Sequence, residues 1–153
     1  NRSVKCSNFI GETIDMAAEL GFCAMLLTGH IGKLIKVAGG IMNTHSHSAD
    51  ARMEVLAANA LRVGADGDAA RDILNCNTTD EALDIMHEKG LLEPAMETIM
   101  EKIQFYLDHR SYEQIKLGAV VFNNVYGYLG KTRDAGELIQ EIQKQDEMLK
   151  SQE

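Results

Sequence analysis

Cys23-Ala24-Met25-Leu26-Leu27-Thr28-Gly29-His30-Ile31-Gly32-Lys33-Leu34-Ile35-Lys36-Val37 is the stretch that decides the fold. Its first six residues form a nearly continuous apolar run bounded by Gly21 and Gly29. That length suits a buried parallel strand better than a helix. Gly29-His30-Ile31-Gly32 then reads as a turn, and Lys33 to Val37 as a short helix stopped by Gly39-Gly40. Upstream, Ser3 to Cys6 reads as a strand end, Ser7 to Gly11 as a turn, and Glu12 to Leu20 as a helix with Ile14, Ala17 and Ala18 inward and Gly21 as its stop. Strand, turn, helix, repeated, is the rhythm of a parallel α/β unit.

Downstream the pattern becomes helical. Ile41 to Ser48 is polar and loop-like. A helix is expected from about Ala49 to Val63, with Ser48 as N-cap, Asp50 in its first turn, and Met53, Leu56, Ala57 and Ala60 buried. Residues 66–113 read as a helical block. Thr78 with Glu81 is a capping-box pattern for a helix from Thr79 to Lys89, ended by Gly90. Pro94 falls in the first turn of the next helix, whose apolar stripe is Met96, Ile99, Met100, Ile103 and Leu107. Lys116 to Phe122 is a second strand, Val125 to Leu129 a short continuation. Asp134 to Lys150 is a charged last helix with Leu138, Ile139 and Ile142 inward. The expected fold is one α/β domain over residues 1–153. It has a small, mostly parallel, Rossmann-like sheet flanked by helices, and a helical block before the last strand.

The chain has 153 residues, 45% hydrophobic and 25% charged, the balance of a globular domain rather than a disordered one. No apolar run reaches the ~20 residues of a membrane span, so no membrane partner is expected. Three cysteines (Cys6, Cys23, Cys76) without Cys-x-x-Cys spacing argue against a disulfide scaffold or a cysteine zinc site. With no signal-peptide pattern, the expected location is cytoplasmic. A start at Asn1 without an initiator Met is what a fragment of a longer protein would show. The net charge of −8 is uneven: residues 1–52 carry a balance of +1 and residues 53–153 a balance of −9. An acidic body repels a phosphate backbone, so nucleic acid is not an expected partner. The less acidic first third can still receive a small anion.

Three clusters carry chemistry. Gly29-x-x-Gly32-Lys33 lies between a strand end and a helix start, where backbone N–H groups approach anions and Lys33 and Lys36 add charge. The alternative is a tight turn with two exposed lysines. Asn8 and Gly11 lie in the preceding turn and point to the same edge, unless that turn is ordinary. Thr44-His45-Ser46-His47 with Asp50, Arg52 and Glu54 offers hydrogen bonds to a polar ligand. His45, His47, Asp50 and Glu54 also admit a divalent metal, with Asp50 and Glu54 one helical turn apart, although no further ligand spacing completes a known site. Gly127-Tyr128-Leu129-Gly130-Lys131-Thr132 is not a phosphate loop, because that loop needs four residues between its glycines. It reads as a glycine turn into the last helix. The eight methionines and Cys6 and Cys23 read as core, and His87 and His109 as helix-end residues without function.

The ordered strings Val4–Gly11, Gly29–Gly40, Thr44-His45-Ser46 and Ala49-Asp50-Ala51-Arg52 together resemble the CbiD family, the cobalt-precorrin-5B C(1)-methyltransferases of anaerobic cobalamin biosynthesis. The resemblance is concentrated between Val4 and Glu54. The strand near Val121 and the Tyr126–Thr132 turn also look like the family's C-terminal end. It implies methyl transfer from S-adenosylmethionine to ring carbon 1 of a tetrapyrrole that brings its own cobalt, with cobalt-precorrin-6A as product and no protein-held metal. It also implies a further N-terminal domain as partner. On that reading Asn8, Gly11, Gly29 and Gly32 are the expected cofactor contacts, and Lys33, Lys36, Thr44, Asp50 and Arg52 the expected substrate contacts. His30 or His45 would orient the ring or take the proton released. Two other readings stand beside it: a non-catalytic module for an anionic tetrapyrrole or nucleotide, and a metal hydrolase built on His45, His47, Asp50 and Glu54.

Overall fold

In the computed structural model, which describes residues 3–151, the apolar run becomes a strand that enters a helix with no loop between them. Asn1 and Arg2, which entered the chain-start reading and the charge balance, lie outside those residues. The elements are α1 (Ile10–Glu19), β1 (Ala24–His30), α2 (Ile31–Val37), α3 (Arg52–Arg62), α4 (Gly67–Leu74), α5 (Thr79–Glu88), α6 (Leu92–Ser111), β2 (Lys116–Asn123), β3 (Gly127–Lys131) and α7 (Ala135–Lys150). The fold is α/β, with a three-stranded sheet in the order β1-β2-β3. β1 and β2 are parallel, Leu27 opposite Ala119 and His30 opposite Phe122. β2 and β3 form an antiparallel hairpin, with a register shift between Val121 and Phe122.

Side-chain alternation along β2 separates two layers. Leu117, Ala119 and Val121 are fully buried and belong to the main core. On the opposite face a Cβ at Gly118 would lie 2.8 Å from Ala135 Cα, so only glycine lets α7 approach the strand this closely. α6 crosses the core face. Its stripe Met96, Ile99, Met100, Ile103 and Leu107 is 0–5% exposed. Each such aliphatic side chain contributes ~1.5–3 kcal/mol by leaving water. Met53, Leu56, Ala57 and Ala60 of α3 face the same core, and α4 and α5 pack beside it.

Several expectations are corrected. Ser3 to Cys6 forms no strand, so the chain lacks the first strand of the expected repeat. Parallel pairing is confined to β1–β2. The expected mostly parallel, Rossmann-like sheet is instead mixed, and β1 is an edge strand in which only Leu27 is fully buried. Val125–Leu129 does not continue β2. The chain reverses there, with Gly127 at φ +69° beginning β3, so the second Gly-x-x-Gly-Lys lies in a strand, not a turn. α3 begins at Arg52 with Ala51 as an N-cap that makes no side-chain bond, so Ser48 caps nothing and Asp50 precedes the helix. Ile142 is 45% exposed because α7 runs past the body of the domain after Leu138. The capping box is present as read: Thr78 Oγ1 accepts from Glu81 N, and the Glu81 carboxylate accepts from Thr78 N. No helix among the described residues is long and apolar enough to cross a membrane.

Candidate functional site

Two polar loops are tied to each other before either can form a site. Thr44 N donates to Asn8 O at 3.0 Å, Gly11 N donates to Met42 O at 3.1 Å, and Thr44 Oγ1 donates to Asn8 Oδ1 at 3.1 Å. Segments more than 30 residues apart thereby share one rim, and Phe9 bridges to Asn43. Lys36 secures the second loop from beneath. It is only 3% exposed, and its Nζ donates to Thr44 O at 3.1 Å and Ala49 O at 2.9 Å. Such an ammonium is tolerated inside because backbone carbonyls replace its water. Lys33, on the exposed side of α2, donates to Ser7 O at 3.1 Å. Ser7 holds φ +50°, a left-handed conformation that costs a non-glycine residue about 1 kcal/mol.

These loops, the first turn of α2 and the starts of α3 and α5 enclose a cleft of about 640 Å³. Asn8, His30, Gly32, Lys33, Lys36, Thr44, His45 and Arg52 all line it, as do Ser46, Thr78, Thr79 and Asp80. Gly32 keeps the space between α2 and α5 open, since a Cβ there would sit 3.3 Å from His30 Nδ1 and 3.5 Å from Thr79 Oγ1. Three of the expected residues are not in its wall. Gly11 packs where a Cβ would meet the Arg110 guanidinium at 2.7 Å, and Gly29 faces the Leu34 side chain. Asp50 turns to Arg52, with bonds of 2.9 Å to Nε and 3.0 Å from Nη2. That pairing holds the Asp50 carboxyl below its ordinary range and pushes the Arg52 guanidinium up. It also counts against the metal reading, since both Asp50 oxygens are taken by Arg52. Among the described residues no group of three or more His, Cys, Asp or Glu is placed to hold an ion.

Both imidazoles have one nitrogen committed. His30 Nδ1 accepts from Gly32 N at 3.1 Å and caps α2, while its ring meets Phe122 edge-on at 5.9 Å. His45 Nδ1 accepts from His47 N at 3.1 Å, and its ring stacks on His47 at 5.0 Å. Nδ1 of each ring is thus occupied by a backbone N–H. The ring nitrogen left without a partner in these bonds is Nε2.

Thr78, Thr79 and Asp80 were missed as wall residues. The capping box marked Thr78 as a helix start, but nothing local places that start opposite Gly32. Lys33, Lys36 and Arg52 give the wall three cations against one acid, Asp80. The arrangement suits a ligand with carboxylates.

A family model described as the C-terminal domain of CbiD matches residues 43–133. The chain is 41% identical over 152 residues to a cobalt-precorrin-5B C(1)-methyltransferase of Ruminiclostridium cellulolyticum, covering 96% of this chain and 40% of that protein. A protein of the same name from Thermoanaerobacter sp. is 37% identical over 90% of this chain and 37% of its own length. For that of Methanocaldococcus jannaschii the figures are 41%, 78% and 33%. The chain thus spans about two fifths or less of the length of these relatives. No solved structure matches it.

Proposed function

This chain belongs to the CbiD family, and from that premise we propose that it supplies the acceptor-binding part of a cobalt-precorrin-5B C(1)-methyltransferase. The reaction moves a methyl group from S-adenosylmethionine to ring carbon 1 of a cobalt-bearing tetrapyrrole in cobalamin biosynthesis, giving cobalt-precorrin-6A. The observation that carries the proposal is the cleft itself: Asn8, Gly32, Lys33, Thr44 and Arg52, distant in sequence, share one wall with a cationic excess. The acceptor's acetate and propionate groups need such partners. The donor supplies an electrophilic methyl on sulfur, and its transfer to carbon depends mainly on in-line placement.

Lys33 and Arg52 are the carboxylate partners in this reading, Arg52 through the guanidinium N–H groups that its bidentate pairing with Asp50 leaves unused. His30 and His45 donate through Nε2 and orient the ring. Lys36 and Thr44 act one step back, since their polar groups already hold the rim together. Gly32 and Asn8 remain the expected contacts for the donor. Gly11 and Gly29 fall away, because they face packed side chains. The partner is the remainder of the polypeptide found in full-length relatives, and a biosynthetic role favours a cytoplasmic location.

Calorimetric titration with S-adenosylhomocysteine tests the reading, on this chain alone and on the chain joined to the remaining segment of a full-length relative. Binding by the joined protein, with transfer of labelled methyl to the tetrapyrrole, is the expected result. Absence of both ends the proposal. The chain's span of two fifths of its relatives favours one second reading, a binding module whose chemistry lies elsewhere. Tetrapyrrole binding by the joined protein without donor binding would support that instead.

A further inference from the structure

Asp80 is the single carboxylate in the cleft wall, and it takes no part in the capping box of its own helix. Thr78 and Glu81 already cap α5, with Glu81 also accepting from Asn77 N at 2.9 Å. Asp80 is instead held from across the molecule by Asn123, the last residue of β2, which is 2% exposed. Asn123 Oδ1 accepts from Val125 N at 2.7 Å and Tyr126 N at 3.0 Å. Those two bonds fix which end of the amide is oxygen, so the NH₂ group faces Asp80 and donates to Oδ1 at 2.7 Å. Among the described residues no other group donates to Asp80. This buried amide holds the carboxylate by one oxygen and leaves the other for a ligand.

We infer that Asp80, positioned by Asn123, forms a subsite for the hydroxyl-bearing methyl donor and directs the carboxylate-bearing acceptor toward Lys33 and Arg52. The inference rests on the methyl-transfer reading and deepens it. A carboxylate repels the acetate and propionate groups of the acceptor but accepts well from the vicinal hydroxyls of a ribose, a use carboxylates serve at the carboxyl edge of parallel strands. Asn123 ends β2 at the edge where β1 runs into α2. The wall is thereby divided by sign: cations on α2 and α3, and an anion at the start of α5.

The test is Asp80→Asn in the joined protein, measured by calorimetry with S-adenosylhomocysteine and, separately, with a cobalt corrinoid polycarboxylate. Asparagine keeps an oxygen for Asn123 to donate to, so the tether survives and only the charge is lost. Donor affinity is expected to fall at least about tenfold. Acceptor affinity should be unchanged or tighter, with the unfolding midpoint unmoved. Asn123→Ala should weaken the donor in the same direction, and adding it to Asp80→Asn should weaken the donor little further. Unchanged donor affinity in Asp80→Asn overturns the inference and leaves the methyl-transfer reading standing. Equal losses for both ligands with a lowered midpoint also overturn it, by making Asp80 a structural tether alone. A wild-type joined protein that binds no S-adenosylhomocysteine removes the methyl-transfer reading, and this inference with it.

Discussion

The helical body and the cleft rim are held together by different physics. In the body, Leu56, Ile73, Leu83, Met86, Ile99, Ile103 and Leu107 are 0% exposed, and stability comes from apolar surface withdrawn from water. On the rim, stability comes from polar groups paired over long sequence separations: Thr44 with Asn8, Lys36 with Thr44 and Ala49, Asn123 with Asp80. The first kind tolerates substitution of one apolar residue by another of similar volume. The second does not, because each lost partner leaves a buried polar group unsatisfied. A body substitution should therefore lower stability and leave ligand preference intact, while replacing a rim side chain that is not itself buried, such as Lys33, should change ligand binding with little loss of stability. Lys36 joins the two, being both buried and polar.

The largest effect sharpens the body side. Ile103→Ala removes a fully buried side chain at the centre of α6 and is expected to cost ~2–5 kcal/mol in urea unfolding. A loss below ~1 kcal/mol would mean that the core is not packed around α6. Next comes the junction. Lys36→Met keeps the apolar stem and strands the carbonyls of Thr44 and Ala49, at a cost of ~1–3 kcal/mol. Amide exchange over residues 42–50 should accelerate while that of α6 stays slow. Uniform acceleration would break the distinction between the two regions.

On the rim proper, Lys33→Ala removes an exposed ammonium with a single bond to Ser7 O. In the joined protein it should weaken binding of the tetrapyrrole polycarboxylate about tenfold, ~1.4 kcal/mol, with little change in unfolding. Unchanged affinity would take Lys33 out of the site. The smallest effect belongs to Arg110 and Asp15, which pin α1 to α6 through bonds of 2.9 and 2.7 Å. The Arg110 guanidinium holds the Asp15 carboxyl below its ordinary range. Because the folded state lowers that pKa, the pair's contribution is complete above about pH 4 and is lost as the pH falls further. Both side chains are more than a third exposed, so Asp15→Asn should cost under ~1 kcal/mol at pH 7. The difference from wild type should shrink steadily as the pH is lowered further. A difference that grew on acidification would contradict the assignment.

The body was largely readable because its information is local. Apolar residues three and four apart gave the stripes of α3 and α6, and Thr78 with Glu81 marked the start of α5. Gly21 and Gly90, both at positive φ, ended their helices where expected. The strand expected at Ser3 to Cys6 came from the rhythm of the fold rather than from its own residues, and it did not form. Half of the cleft was readable for the same reason, since Asn8, Thr44 and His45 lie in polar bends and Gly32 and Lys33 in the first turn of α2, just past a strand end. The other half was not. Asp80 and Asn123 are 43 residues apart, and no periodicity links a helix start to a strand end. The one available signal was an asparagine closing an apolar strand just before a glycine turn. Arg52 shows the opposite error: the polar run before α3 looked like a helix already under way at Ala49, but the helix starts at Arg52, whose backbone N and guanidinium both donate to Asp50.

The most direct test of a single shared cleft is an amide shift map of the labelled chain titrated with a cobalt corrinoid polycarboxylate. Perturbations gathered at Asn8, Gly32, Lys33, Thr44, Arg52 and Thr79, with α6 and β3 quiet, are the expected result. Shifts concentrated instead along the groove between α6 and β3, around Met100, Phe105 and Tyr128, would contradict it.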